Sequence, residues 1–306
     1  MAKTAVVIPT YNRSSTLLLA LSKLLAVIPP EHCVIVVDSG SRDGTADLVR
    51  DRFPRVHLLQ GDSSMWWGAA MNAGILKARA FGCRYVVTYN DDNVATPDLF
   101  FRLEHASSRA PRSIIAAVCC YLEDPERVFF AGRIRARGTD RFYYVDHDAP
   151  LSTLGTELRP ADMLHGMCTL FPVEVFETVG LFDEQRFPQA FADDDLLLRA
   201  RRAGFQLNVA LDAIVLNDRS KTGLNPYDRR LGPAGILRLF TSCRSNFQLA
   251  ARTRFLWKYR RSLYYFGKTW ICDYARLLGL IVSRWLLPVR TFQWLGALWN
   301  QRLQEK

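Results

Sequence analysis

The sequence predicts an α/β protein with a mostly parallel sheet flanked by helices, followed by a helical extension at its C-terminus. Three short apolar runs rich in β-branched residues indicate the sheet, at Thr4–Ile8, Val34–Val37 and Tyr85–Tyr89. Unbroken runs of this length are typical of strands buried on both faces of a parallel sheet. Each run ends at polar, turn-forming residues, so the strand ends are candidate positions for a functional site.

Helical patterns separate these strands. Residues 14–27, 43–53 and 68–81 carry apolar side chains at three- and four-residue spacing, and Ser14 and Asp43 are plausible helix starts. The predicted order is therefore βαβαβα. In open parallel sheets of this kind, ligands bind beyond the carboxyl ends of the strands.

Polar motifs follow the strands in a fixed order. Three of them come directly after a predicted strand, and the fourth precedes a later helical pattern. The motifs are Pro9-Thr10-Tyr11-Asn12, Asp38-Ser39-Gly40-Ser41, Asn90-Asp91-Asp92-Asn93 and Asp193-Asp194-Asp195. They predict a site rich in carboxylates at one edge of the sheet.

Longer stretches around these motifs resemble a known family. The stretches are Val6-Val7-Ile8-Pro9-Thr10-Tyr11-Asn12-Arg13, Val36-Val37-Asp38-Ser39-Gly40-Ser41-Arg42-Asp43-Gly44-Thr45, Trp66-Trp67-Gly68-Ala69-Ala70-Met71-Asn72, Val179-Gly180-Leu181-Phe182-Asp183-Glu184 and Asp193-x-Asp195-Leu196-x-Leu198-Arg199. They look like family 2 glycosyltransferases with the GT-A fold, over roughly residues 4–223. The Asn90-Asp91-Asp92 turn and the Trp66-Trp67-Gly68 segment are similar to the rhamnosyltransferase-like branch.

This resemblance implies an inverting glycosyltransferase with a Rossmann-like nucleotide-binding half. The implied donor is a nucleoside-diphosphate sugar, with dTDP-rhamnose or a UDP-sugar as the leading choice. The implied acceptor is a hydroxyl of a glycan or lipid-linked saccharide in cell-surface polysaccharide synthesis. Two other classes stay open, a non-catalytic nucleotide-sugar-binding partner protein and a nucleotidyltransferase. The second would normally have a glycine-rich loop after the first strand, where this chain has Pro9-Thr10-Tyr11-Asn12-Arg13.

A divalent cation, Mg²⁺ or Mn²⁺, is implied at Asp92, with Asp91 beside it. Hard oxygen ligands suit such ions, which neutralise the charge of a leaving diphosphate. Family members usually begin this turn with Asp, where the chain has Asn90, so Asn90 is expected to bond the ribose or a metal-bound water. Asn217 and Asp218 stand where many members place a His, and Asp218 is predicted as a further ligand. The alternative is a hydrophilic turn ahead of a helix.

Asp38 is implied to accept a hydrogen bond from the N3–H of a uracil- or thymine-type base, because an ionised carboxylate only accepts. The alternative is that Asp38 caps the turn that follows it. Arg13 is close enough in sequence to meet phosphate or only water. The full set predicted at the donor is Pro9, Thr10, Tyr11, Arg13, Asp38, Ser39, Trp67, Asn72, Asn90 and Asp91.

Asp193 is the implied catalytic base, with Asp194 in reserve. Inverting transfer needs a carboxylate that accepts the acceptor's proton, and Ala192 stands where the family has Glu. Alternatively, these are ordinary acidic residues that complement a helix dipole. Trp66 and His165 are predicted on the acceptor side, although packing and a structural histidine explain them equally well.

The C-terminal segment is basic and aromatic. Residues 236–306 contain 13 Lys or Arg against Asp273 and Glu305, together with five of the seven tryptophans. This composition favours a membrane surface. Charged residues and a proline interrupt every apolar run, so a transmembrane helix is not expected. Packing within the protein or as a homodimer is the alternative, and no nucleic-acid module is recognisable.

The predicted domains are 1–225, catalytic, and 226–306, a helical tail. With 306 residues of which 49% are hydrophobic, the chain is large enough for one sizeable core and an extension. Its seven cysteines lack metal-site spacing, which predicts reduced thiols. The first strand begins at Thr4 and leaves no room for a signal peptide. We therefore expect a cytoplasmic protein at the inner face of the cytoplasmic membrane.

Overall fold

The computed structural model describes residues 3–136, 140–219, 224, 226 and 231–286. The chain divides into two compact units, Met1–Gly132 with Asp146–Lys221, and Arg133–Val145 with Thr222–Lys306. The predicted domains did not include this assignment of residues 133–145 to the second unit, and their boundary at residue 225 stays a prediction. Residues 287–306 of the predicted tail lie outside the described residues.

The first part of the chain alternates strands with helices, as the apolar runs and helical spacing predict. Its elements are β1 (Thr4–Thr10), α1 (Ser14–Val27), β2 (Cys33–Asp38), α2 (Thr45–Arg52), β3 (His57–Gln60), α3 (Trp67–Ala80), β4 (Tyr85–Tyr89), β5 (Asn93–Ala95), α4 (Leu99–Arg109), β6 (Ser113–Tyr121) and β7 (Val128–Phe130). Strands β1 and β2 are buried along their whole length, which explains their unbroken apolar sequences.

The remaining elements complete the sheet and then form the second unit. They are β8 (Arg133–Arg135), β9 (Phe142–Tyr144), a 3₁₀ turn (Leu151–Thr153), β10 (Leu158–Pro160), β11 (Cys168–Pro172), α5 (Val173–Val179), α6 (Ala192–Arg202), β12 (Gln206–Asn217), α7 (Pro233–Thr241), α8 (Leu249–Tyr259) and α9 (Leu263–Leu286). A helical C-terminal region is thus confirmed.

The sheet of the first unit has the strand order β10-β12-β6-β11-β4-β1-β2-β3. Strands β3, β2, β1 and β4 run parallel, whereas β11 lies antiparallel between β4 and β6. The α/β fold with a largely parallel sheet is confirmed. Thr10 pairs with Asp38 in the register of β1 and β2, so the first two polar motifs begin side by side.

Helix α3 packs closely on β1. A Cβ atom at Gly74 would lie 2.2 Å from Cγ1 of Val7, so this helix position has no room for a side chain. The core around β1 joins strand and helix side chains such as Ile8, Leu21 and Val36. This packing fixes the start of α3, where Trp67 lies, relative to the ends of the strands.

The second unit combines the β8–β9 hairpin with helices α7 to α9. Leu239, Tyr274 and Leu277 form its small buried cluster. Asp273 forms ion pairs with Arg141 and Arg252, which ties the hairpin segment to the helices. Within residues 3–136, 140–219 and 231–286, no helix is both long enough and apolar enough to cross a membrane.

Candidate active site

The loops after β1 and β2 form one wall of the candidate site. The backbone N–H of Asn12 donates to Oγ of Ser41 over 2.8 Å, and the N–H of Arg42 donates to Oδ1 of Asn12 over 2.8 Å. Asn12 adopts the left-handed conformation, with φ of 52°, which asparagine tolerates better than most residues. These reciprocal bonds explain why the two polar motifs form a single surface.

Asp38 lies fully buried at the end of β2. Its Oδ1 accepts the backbone N–H of Ser41 over 3.0 Å, whereas its Oδ2 is buried without a hydrogen-bond partner among the described residues. One carboxylate oxygen of Asp38 therefore caps the turn, as the alternative expected. The other oxygen remains available to accept a hydrogen bond from a ligand. A buried polar atom without a partner is unusual in proteins and marks a candidate ligand contact.

The other residues predicted around the nucleotide lie near this position. Pro9 and Thr10 belong to β1, and the backbone N–H of Ser39 donates to the carbonyl of Thr10 over 3.0 Å. Ser39 is buried, whereas Tyr11 is partly exposed. The structure thus gathers Thr10, Tyr11, Asp38 and Ser39 at one edge of the sheet.

Asp91 and Asp92 converge on the guanidinium of Arg13. Nη1 of Arg13 lies 2.7 Å from Oδ1 of Asp91 and 3.2 Å from Oδ2 of Asp92. Oδ2 of Asp91 accepts the hydroxyl of Thr10 over 2.9 Å. Both carboxylates are buried, and together they form a position that already favours a cation.

The electrostatics of this cluster follow from burial and charge. Burial raises the pKa of Asp91 above its ordinary value, Arg13 opposes that rise, and the neighbouring Asp92 adds to it. Burial disfavours the charge on Arg13, but attraction to both aspartates outweighs it and raises the pKa of Arg13. Arg13 therefore stabilises the charge of Asp91, whereas the two adjacent carboxylates repel each other.

The end of β12 reaches the same position. Nδ2 of Asn217 donates to Oδ1 of Asp92 over 2.8 Å and to Oδ1 of Asn93 over 2.9 Å. Asp218 approaches through its backbone, whose N–H donates to the carbonyl of Asp92 over 3.0 Å. Of the two residues that stand where relatives place a His, Asn217 is thus the one whose side chain bonds Asp92.

The residues present fit a divalent cation. In the described part of the chain, no group of three or more His, Cys, Asp or Glu side chains is arranged to hold a metal. Mg²⁺, however, is commonly bound by one or two carboxylates together with phosphate oxygens of the substrate. Asp91 and Asp92 offer such carboxylates and already contact a positive charge.

The three consecutive aspartates of α6 have different surroundings. Oδ2 of Asp193 accepts the backbone N–H of Gly166 over 2.9 Å, and its Oδ1 accepts the N–H of Asp194 over 3.0 Å. Asp195 is fully buried and forms an ion pair with Arg199 over 2.9 Å. Asp194 is also buried, so Asp193 is the most accessible of the three.

Trp67 connects the Asn90 turn to the segment that contacts Asp193. Its Nε1–H donates to Oδ1 of Asn90 over 3.3 Å. A Cβ atom at Gly166 would lie 2.8 Å from Cη2 of Trp67 and 3.3 Å from Cβ of Asp193. Gly166 is therefore needed for this close approach. The sequence interpretation missed it, although a glycine beside His165 was the available signal.

The structure does not bring Asn72 or His165 into this group. The amide of Asn72 is engaged by Phe182 and Glu184, with bonds of 2.7 to 3.0 Å. His165 is buried, with Nε2 3.2 Å from the carbonyl of Ala117 and Nδ1 accepting an N–H over 2.9 Å. These contacts match the structural alternative for His165. Trp66 precedes α3 and is partly exposed.

Comparison with known proteins identifies the class. Residues 5–180 match the family described as "Glycosyl transferase family 2". The chain belongs to this family, and both the predicted family and its rhamnosyltransferase-like branch are confirmed.

The sequence identity to individual relatives is low. The chain is 27% identical over 245 residues to the N-acetylglucosaminyl-diphospho-decaprenol L-rhamnosyltransferase of Mycobacterium tuberculosis (strain ATCC 25618 / H37Rv), covering 72% of this chain and 78% of the relative. It is 26% identical over 215 residues to the dTDP-rhamnosyl transferase RfbF of Shigella flexneri, covering 67% and 66%. It is 33% identical to the polyprenol monophosphomannose synthase of Mycolicibacterium smegmatis over 105 residues, which cover 33% of this chain and 39% of that protein.

A solved structure supports the fold. The crystal structure of GalNAc-T7 with UDP, GalNAc and Mn2+ aligns with a TM-score of 0.56 at 13% sequence identity. The alignment covers 71% of this chain and 44% of that chain. At this identity the likeness concerns the fold, and it agrees with the predicted GT-A architecture.

Proposed function

We propose that this protein transfers a sugar, with inversion, from a nucleoside-diphosphate donor to a hydroxyl of a glycan or lipid-linked saccharide in cell-surface polysaccharide synthesis. The observation that carries the proposal is the placement of Asp38, Asp91 and Asp92 at the ends of β2 and β4, the two strands that pair with β1, in a family 2 domain. Similarity to a decaprenol-linked and a dTDP-dependent rhamnosyltransferase favours dTDP-rhamnose as donor, with a UDP-sugar as the alternative.

The base of the donor would bind at Asp38. Its unpartnered Oδ2 is an acceptor that suits the N3–H of thymine or uracil. Tyr11 and Ser39 adjoin this position, and Arg13, which contacts Asp91 and Asp92, is proposed to meet the diphosphate. The side chain of Arg13 is about one-third exposed, so it can exchange a carboxylate for a phosphate oxygen.

We propose Asp92 as the ligand of Mg²⁺ or Mn²⁺, with Asp91 beside it and Asp218 as a further ligand. When bound, the ion supplies positive charge that stabilises the leaving diphosphate. Asn217 orients Asp92 through its amide, and Asn90 is held by Trp67. The amide at position 90 removes one negative charge from the family's usual turn, which should weaken cation binding before the donor arrives.

Asp193 is proposed as the general base. As the acceptor hydroxyl oxygen attacks the anomeric carbon, its proton passes to a carboxylate oxygen of Asp193, and the bond to the diphosphate breaks. The N–H groups of Gly166 and Asp194 hold the carboxylate in place. A carboxylate held in a fixed orientation next to the acceptor makes the proton transfer effectively unimolecular, which lowers its barrier.

The test is a transfer assay with dTDP-rhamnose and UDP-sugars, each with Mn²⁺ or Mg²⁺ and with polyprenyl-diphospho-N-acetylglucosamine as acceptor. Mass spectrometry of the lipid product and release of nucleoside diphosphate measure transfer. One donor should give a product one sugar heavier, and chelation should stop the reaction. Absence of product and of donor hydrolysis with every donor would contradict the proposal.

A non-catalytic nucleotide-sugar-binding protein is the second candidate. It is favoured by Asn90 and Ala192, which replace acidic residues of the family pattern. That protein would bind a nucleotide at Asp38 without hydrolysing or transferring the sugar.

We propose that the transfer reaction takes place at the inner face of the cytoplasmic membrane, where lipid-linked precursors are accessible to a cytoplasmic enzyme.

A further inference from the structure

Helix α9 exposes a straight stripe of apolar residues. Tyr264, Ile271, Leu278 and Val282 are each between 54% and 68% exposed. At 100° per residue they lie within about 40° of one another around the helix axis, and they extend over about 27 Å. We call these four residues the α9 stripe.

Another face of the same helix is already packed. Tyr274 and Leu277 are buried against Leu239, and Trp270 and Ile281 pack at the margin of that cluster. A helix with apolar residues on both faces has a second surface that is expected to be covered. The α9 stripe is therefore not part of the core of the second unit.

The surroundings of the stripe are cationic. Residues 231–286 contain ten Lys or Arg and a single acidic residue, Asp273, which is buried and paired with Arg141 and Arg252. Lys268 and Arg276 are exposed on α9. The described residues of α7, α8 and α9 thus include no carboxylate other than Asp273.

Aromatic rings adjoin these cations. The guanidinium of Arg260 lies 3.7 Å from the ring centroid of Trp257, which is partly exposed on α8. The ammonium of Lys268 lies 5.8 Å from the ring of Tyr264. Amphipathic aromatic and basic side chains of this kind are enriched where protein meets the headgroup region of a bilayer.

We propose that the α9 stripe and its flanking cations dock the protein on an anionic lipid surface. Helix α9 lies in the plane of the interface, with Ile271 and Leu278 inserted among the acyl chains and Lys268 at the headgroups. Burial of apolar area and attraction to anionic lipid act together in such binding. Docking is separate from the chemistry of the active site, so each can be measured without the other.

A second copy of the chain fits this surface less well. A twofold interface brings the same patch of both copies together and must be complementary to itself. Here it would bring two cationic surfaces together, and residues 231–286 supply only the buried Asp273 to compensate them. Anionic lipid supplies the missing negative charge.

Flotation with vesicles tests the proposal. The full chain should float with phosphatidylglycerol-containing vesicles, bind phosphatidylcholine vesicles at least tenfold more weakly, and be released by high salt. The double variant Ile271→Glu/Leu278→Glu should lose at least tenfold of the binding, because each substitution places a carboxylate among acyl chains. Leu76→Glu, at an exposed leucine of α3, is the matched control and should bind like the wild type.

Cys272 offers a readout that needs no substitution in the stripe. It is the exposed one of the seven cysteines and lies beside the α9 stripe. An environment-sensitive fluorophore on Cys272 should shift to the blue with anionic vesicles only. Nucleotide binding by the same sample separates a failure of docking from a failure of the proposed transfer.

Two results would overturn the proposal. One is equal flotation of wild type and double variant. The other is a wild-type dimer in light scattering that the double variant converts to a monomer, without vesicle binding by either protein.

Discussion

Two pairs of buried aspartates are neutralised by arginine in this protein, but in different ways. In the first unit, Asp91 and Asp92 share the guanidinium of Arg13. In the second unit, Asp140 and Asp273 each contact two guanidinium groups of their own. The arginines of the second unit are Arg135 and Arg261 for Asp140, and Arg141 and Arg252 for Asp273.

The difference separates a site from a structural network. Breaking a buried ion pair is costly because it leaves a charge uncompensated, so Asp140 and Asp273, with two arginines each, are expected to serve the fold. Asp91 and Asp92 both contact Nη1 of Arg13, and their adjacent carboxylates form a negative position that suits a further cation. The unpartnered Oδ2 of Asp38 near them adds to this contrast. We infer that the Asp91–Asp92 pair is kept for a ligand and the Asp140–Asp273 pair for stability.

The largest effect is expected at Asp193. Replacing the carboxylate with an amide, Asp193→Asn, removes the proton acceptor and should lower kcat by about 10³-fold. Donor affinity should change little, because the carboxylate of Asp193 is held by the N–H groups of Gly166 and Asp194, which lie outside the set predicted at the donor. Steady-state transfer kinetics and nucleotide calorimetry measure the two quantities. Asp194→Asn is the control, and a larger loss in that variant would assign the base to Asp194.

The next effect tests the comparison itself. Asp273→Asn should lower the free energy of unfolding by about 3 kcal/mol, since Arg141 and Arg252 lose their shared buried anion. Asp92→Asn should change it by about 1 kcal/mol or less, because Arg13 keeps Asp91 and the repulsion between the two buried carboxylates is relieved. Denaturant unfolding measures both.

In ligand binding the order of the two variants should be reversed, with the larger loss in Asp92→Asn. Asp92→Asn should abolish metal-dependent nucleotide stabilisation, whereas folded Asp273→Asn should retain it. If both variants lost equal stability and equal nucleotide affinity, the distinction between the two aspartate pairs would be wrong.

A smaller effect is expected from Gly166→Ala. The added Cβ meets Trp67 and Asp193, so the base should shift and turnover should fall by about 10²-fold. Gly267→Ala is the control, since its Cβ would have nothing within 4 Å. A fall in turnover that is equal in both variants would mean that Gly166 has no special part in placing the base.

The smallest effect concerns Arg13. Arg13→Gln removes the cation that competes for Asp91 and Asp92, so Mn²⁺ should bind the nucleotide-free protein about fivefold more tightly, or about 1 kcal/mol. Binding of the nucleoside diphosphate should weaken at the same time. Mn²⁺ titration followed by electron paramagnetic resonance measures the first effect. Unchanged or weaker Mn²⁺ binding would show that Arg13 does not compete for this position.

The parallel half of the fold could be predicted because strand, turn and motif are neighbours in the sequence. The apolar run of β2 and Asp38 at its end are one local signal, and the same holds for β4 and the Asn90 turn. The contact of Asn217 with Asp92 joins residues 125 positions apart. Neither propensity nor spacing encodes such a pairing, which depends on the register of β12 with β5.

The position of residues 133–145 shows the same limit. The basic residues of this segment do not reveal a distant partner in the sequence. Arg141 pairs with Asp273, which lies on α9. The packing of Gly166 against Trp67 could not be predicted from the sequence either. A single glycine can indicate a close contact, but it does not show which residue makes that contact.

Calorimetric titration of UDP, dTDP and GDP, each with and without Mn²⁺, tests the central claim most directly when wild type, Asp38→Ala and Asp92→Asn are compared. We predict that UDP or dTDP binds the wild type with Mn²⁺, that GDP does not, that Asp38→Ala loses the preference for base, and that Asp92→Asn loses the effect of Mn²⁺. Absence of nucleotide binding by the wild type, or binding that neither substitution alters, would contradict the assignment of this site.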